Sequence, residues 1–95
     1  MIKKYMSELI STFCKIRSTQ EMEDFLHGIL TPQECDEIST RLQVVKMLQK
    51  GIPQHKIAKN LGVGVATVTR GSKELGKGRF AYISSKSWRT SKKGG

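Results

Sequence analysis

The 95-residue chain is predicted to be all-α, with a core shared between two copies and a helix-turn-helix in each. Three observations carry this. Apolar residues recur at three- and four-residue steps as far as Leu75, the period of one helix face. Two capping sequences, Ser18-Thr19-Gln20-Glu21 and Thr31-Pro32-Gln33-Glu34, punctuate those stripes. Between Gln54 and Lys73 a glycine separates two short stripes in the register of two crossing helices.

Residues 4–17 form the first amphipathic pattern, with Met6, Leu9, Ile10, Phe13 and Ile16 on one face and Cys14 widening it. Ser18 then caps a second helix, with Glu21 at its third position, which runs to about Gly28. Met22, Phe25, Leu26 and Ile29 are its apolar residues, and His27 is a surface residue without assigned chemistry. Thr31 caps the longest helix, Pro32 suits its first position, and Glu34 completes the box. That helix reaches about Lys50, where Gly51 and Pro53 stop it. Cys35, Ile38, Leu42, Val45 and Leu48 share one face, and Val44 and Met47 add a neighbouring stripe. So much apolar face exceeds what residues 1–50 can bury alone. A dimer with a shared core follows; a compact monomer is the competing reading.

The next stretch is two short helices. Ile57, Ala58 and Leu61 mark the inner side of the first, Gly62 makes the sharp turn, and Val63, Val65 and Val68 fill the space under the second. In a helix-turn-helix the second helix is offered to the DNA major groove; the alternative is an ordinary helical hairpin in a packed core. Gln54, His55, Lys56 and Lys59 are placed to meet phosphate. Gly64, Val65, Ala66, Thr67, Thr69 and Lys73 are placed at the groove. Beyond Gly76 the chain turns to glycine, serine and basic residues, where Phe80, Tyr82, Ile83 and Trp88 pack a short last element and disorder sets in from Ser91. The organisation is one domain: a helical dimerisation core over 1–50, the helix-turn-helix over 51–76, and a basic, partly disordered tail over 77–95.

Charge is distributed to match. The chain carries 17 Lys and Arg against eight Asp and Glu. Residues 1–50 hold seven of each sign; residues 51–95 hold ten basic residues and only Glu74 as an acid, so the later half carries the whole +9. A basic half of this kind favours phosphate contact, and it lacks the broad apolar helix face that membrane insertion needs. Cys14 and Cys35 are widely spaced and are read as small core residues of a reducing compartment. A zinc site from Cys14, His27, Cys35 and His55 matches no ligand spacing. No apolar run suits a membrane span or a signal peptide, so cytoplasmic residence is expected. No nucleophile–base pair or carboxylate cluster suggests an enzyme.

Two blocks together resemble a known family. Leu30-Thr31-Pro32 with Thr40-Arg41 is the first, and Gly62-Val63-Gly64-Val65-Ala66-Thr67-Val68-Thr69-Arg70-Gly71-Ser72 is the second. The pairing is similar to the bacterial tryptophan repressor family from about Leu30 to Leu75. The resemblance implies an all-helical, intertwined homodimer that represses transcription when L-tryptophan is bound as co-repressor. It further implies that Arg41 of one chain and Arg70 of the other flank the indole ring. Arg70, helped by Thr31, would meet the ligand carboxylate. Backbone carbonyls near Gly28 and Leu30 would receive its ammonium, and Thr67 and Gly71 would line the pocket. Glu74 stands where the family has a small hydroxyl residue, near the ligand ammonium, and the Gly51–Gln54 connection is one residue short.

The expected function is therefore a tryptophan-activated repressor that binds a palindromic double-stranded DNA operator as a homodimer, without cofactor or metal. Set against it are a regulator of the same fold that binds DNA without tryptophan, and a module that docks another protein.

Overall fold

The computed structural model describes residues 2–83. Five helices follow one another: α1 (Lys3–Lys15), α2 (Thr19–Ile29), α3 (Pro32–Gln49), α4 (Gln54–Leu61) and α5 (Val65–Gly76), with no strand among the described residues. The all-α expectation holds. The expectations for Trp88 and for disorder from Ser91 lie outside the described residues.

Local chemistry sets the helix boundaries. At α2 the Glu21 amide donates to Ser18 Oγ at 3.1 Å. The return arm reaches one residue further than expected, with the Arg17 amide donating to Glu21 Oε1 at 3.3 Å. At α3 the box is reciprocal: the Glu34 amide donates to Thr31 Oγ1 at 3.1 Å, and the Thr31 amide to Glu34 Oε1 at 2.9 Å. Each cap satisfies amides that a helix start leaves without partners, worth ~1 kcal/mol. α3 closes with the Ile52 amide donating to the Met47 carbonyl at 3.1 Å. α4 closes at Gly62, whose φ of 67° and ψ of 35° are left-handed. This lets the Val63 amide reach back to the Ala58 carbonyl at 3.0 Å, and a Cβ there would be strained.

The chain divides into two compact units, Met1–Asp36 and the residues from Glu37 onward, the division falling inside α3. In the first unit Phe13 and Phe25 meet edge to face, with ring centroids 5.4 Å apart and planes at 79°. Such a pair is worth about 0.5–1.5 kcal/mol beyond its buried area. Yet α1 and α2 bury no residue. Tyr5, Met6, Ile10, Phe13 and Ile29 stand exposed, and so does Cys14, against the expectation that it sits in a core.

The second unit holds the buried core. Val44 of α3, Ile57 and Ala58 of α4 and Val68 of α5 are its centre. Met47, Leu48, Ile52, Leu61 and Val63 pack around them. The wide apolar arc of α3 thus resolves into two parts: Val44 and Val45 are buried, while Ile38 and Leu42 stay 47% and 43% exposed. Val65 does not fill the space under α5, because it is 56% exposed. It is the first residue of α5, and a helical Cβ leans toward the N-terminus, which carries this side chain past the packed layer.

Candidate functional site

Two features of the second unit stand out: an exposed polar face on α4 and α5, and a cavity beneath α5. On the face, His55, Lys56 and Lys59 of α4 are exposed, as are Gly64, Val65, Ala66, Thr67 and Lys73 at and along α5. Gln54 and Thr69 are half-buried, and the Thr69 hydroxyl donates to Gln54 Oε1 at 3.0 Å. That bond fixes the start of α4 to the middle of α5 and leaves the Gln54 amide nitrogen as a donor. Neither helix start has a side-chain cap, since Pro53 and Gly64 occupy the cap positions. The third amide of each helix donates back to the cap carbonyl, Lys56 to Pro53 at 3.0 Å and Thr67 to Gly64 at 3.1 Å, while the first two lack a side-chain acceptor at helix ends that favour anions. From Gln54 to Gly76 the chain has four basic residues, Lys56, Lys59, Arg70 and Lys73, against Glu74 alone.

The cavity has a volume of about 150 Å³. α3 contributes Arg41, Val44 and Val45. α5 contributes Thr67, Arg70, Gly71 and Glu74, and the turns after α5 contribute Phe80. Five residues named from the sequence, Arg41, Thr67, Arg70, Gly71 and Glu74, are brought together. Within a single chain, Arg41 and Arg70 both line the cavity. α3 packs on α5 through Val44 and Gly71, and the arginines stand next to those two contacts, one turn before Val44 and one residue before Gly71. Two guanidinium groups over an apolar floor suit a flat apolar group that carries an acidic substituent. Gly28, Leu30 and Thr31 belong to the first unit: Gly28 lies within α2, Leu30 ends it, and the Thr31 hydroxyl accepts the cap bond of α3.

Glu74 does not stand free to receive an ammonium. It accepts from Lys77 Nζ at 3.1 Å and from Arg79 Nε at 3.2 Å. The hydrogen bond from Lys77, aided by Arg79 and opposed by partial desolvation, holds its carboxyl below the usual carboxylate range. Glu74 thereby anchors the chain as it leaves α5. The same segment is tied down at its far end, where Gln49 Nε2 donates to the Ile83 carbonyl at 2.8 Å. Between those ties sits Phe80, which sequence reasoning assigned to a last packing element and did not connect with the cavity. The signal that pointed there was Gly78, whose φ of 81° turns the chain after α5. Tyr82, expected to pack beside it, is 95% exposed.

Among the described residues no three His, Cys, Asp or Glu side chains gather as a metal site, and no helix is long and apolar enough to cross a membrane.

Comparison with known proteins is consistent over most of the chain. The family model described as "Trp repressor protein" matches residues 4–85. A "Trp operon repressor homolog" of Actinobacillus succinogenes is 46% identical over 54 residues, covering 56% of this chain and 54% of the relative. One of Mannheimia succiniciproducens is 50% identical over 54 residues, with the same coverage. The chain thus spans about half the length of these curated relatives. The "Uncharacterized protein YerC" of Bacillus subtilis is 29% identical over 79 residues, covering 83% of this chain and 76% of the relative.

Proposed function

Because the chain belongs to the Trp repressor family, we propose that it is a DNA-binding transcriptional repressor, working as a homodimer and activated by L-tryptophan. The observation that carries this reading is the cavity under α5, which has Arg41 and Arg70 on its rim and Thr67 shared with the exposed face. A ligand held there touches the helix that meets DNA.

In this reading α4 and α5 are a helix-turn-helix. Gln54, His55, Lys56 and Lys59 meet phosphates, and α5 enters the major groove through Gly64, Val65, Ala66, Thr67, Thr69 and Lys73. The indole lies between the guanidinium planes of Arg41 and Arg70, each stack worth ~0.5–2 kcal/mol. Arg70 also pairs with the carboxylate. In the dimer, Thr31 and the backbone near Gly28 and Leu30 complete the ligand's polar contacts. The exposed apolar residues of α1, together with Ile38 and Leu42, become the intertwined core of the dimer. Two-fold symmetry then calls for a palindromic operator with half-sites about one helical turn apart. Tryptophan acts only so far as it prefers the geometry that fits both half-sites.

The second reading keeps the fold and the DNA but drops tryptophan. The closed pairing of Glu74 with Lys77 and Arg79 favours it, since that carboxylate is spent within the chain. Calorimetry with L-tryptophan, coupled to duplex binding on an operator selected from random sequence, separates the two. Heat of binding with a gain in duplex affinity supports the co-repressor; binding of duplex with neither supports the second reading. A steep loss of affinity with salt marks phosphate contact, whereas no duplex binding at low salt leaves only a protein-docking module.

A further inference from the structure

From the way Phe80 closes the cavity beneath α5, we infer that Phe80 is its size-determining wall and sets which aromatic ligands enter. The inference rests on the reading of that cavity as the effector site.

Three observations support it. First, among the described residues Phe80 is the one lining residue that comes from neither α3 nor α5. It is held in place by ties on both sides rather than by a helix. Glu74 binds Lys77 and Arg79 before it, and Gln49 holds Ile83 after it. The amides of Ala81 and Ile83 return to Gly78 and Phe80, so the segment is a set of tight turns. Second, the apolar walls supplied by the helices have little freedom. Val44 and Val45 are buried and β-branched, and α5 is pressed onto Val44 at Gly71. Phe80 is only half-buried and is the side chain whose size can change without breaking the core. Third, the space left is small. The cavity is about 150 Å³ with Phe80 in place; a closed apolar cavity of that size holds a single ring, benzene, whereas this one opens toward the exposed Arg41 and Arg70. An indole carries a second fused ring, so the position of the phenyl group bears on how far it enters.

Phe80 is therefore a specificity residue. Shortening it deepens the cavity and favours the two-ring ligand; enlarging it excludes aromatic ligands. The side chain makes no polar contact with a ligand, so its effect is on which ring fits and not on whether an amino acid is recognised.

The test compares the full chain with Phe80→Leu, Phe80→Ala and Phe80→Trp, using calorimetry with L-tryptophan and L-phenylalanine. Helical circular dichroism confirms that each variant folds, and Phe80→Leu keeps an apolar contact should Phe80→Ala fail to fold. Phe80→Leu is expected to raise the preference for tryptophan over phenylalanine by about tenfold, the low end of what one methylene's worth of space gives in an apolar pocket. Phe80→Trp is expected to abolish uptake of both. A merely structural Phe80 would weaken both ligands together and leave their ratio unchanged, which would overturn the inference. Tryptophan bound equally well by all four proteins would overturn it too, while leaving the effector reading intact. Failure of every variant to bind either amino acid would remove the effector reading and this inference with it.

Discussion

Gly71 on α5 faces Val44 on α3 so closely that a Cβ built on the glycine would stand 3.0 Å from Val44 Cγ1 and 3.5 Å from Leu48 Cδ1. Val44 is 1% exposed and cannot retreat. Gly71→Ala is therefore expected to push α5 off α3 at a cost of about 1–3 kcal/mol, the usual range for overpacking. Urea unfolding measures it; unchanged stability would show that the two helices have slack. The same substitution distorts the cavity, so tryptophan binding should fall as well.

Arg70→Ala separates a ligand role from a plain phosphate role. Loss of a charged hydrogen bond to the carboxylate should weaken tryptophan by about 1.5–3 kcal/mol. Duplex affinity without tryptophan should change little, and the gain on adding it should disappear. Equal weakening with and without tryptophan would place Arg70 on the DNA backbone.

The exposed apolar face of α1 predicts self-association. Ile10 is 55% exposed in the single chain. Light scattering should give a dimer mass for the native protein, and Ile10→Asp should shift it toward monomer with a lower melting temperature. A charge buried without a partner is costly at a dimer core. A native monomer at high concentration would reject the shared core.

Glu74 gives a pH dependence of known sign. Its carboxyl titrates lower in the folded chain than in the unfolded one, chiefly through Lys77. The tie therefore stabilises the fold above the ordinary carboxylate value and is lost as the pH falls through the lowered one. Carboxyl carbon NMR of Glu74 should show a midpoint below that measured in urea. Equal midpoints would mean that the pairing does not form in solution.

Much of the fold was legible because its signals are local. Ser18, Thr31 and Gly62 act on residues three to five positions away, and the helix boundaries follow from them. The cluster of Ile57, Ala58 and Val68 was readable from spacing for the same reason. What the sequence left open depends on distant partners. The arc on α3 is too wide to say which part faces α4 and α5, so Val44 rather than Leu42 becomes core only once those helices are in place. Arg41 and Arg70 were named, but their meeting within one chain follows from the close approach at Gly71. Phe80 reaches the cavity through a turn held by Gln49 and Ile83, 34 positions apart, and no periodicity announces such a bond.

The bare starts of α4 and α5 have a consequence for when this part of the molecule becomes fully ordered. Two helices that open on Pro53 and Gly64 leave their first two amides without a side-chain acceptor, so each begins life incomplete. An anion arriving at those first two amides supplies the acceptor they lack, much as Ser18 and Thr31 do one position further in for their own helices. A nucleic acid laid across this face would thus serve as scaffolding for the surface that grips it, and hydrogen exchange in those first turns should slow when the duplex is added.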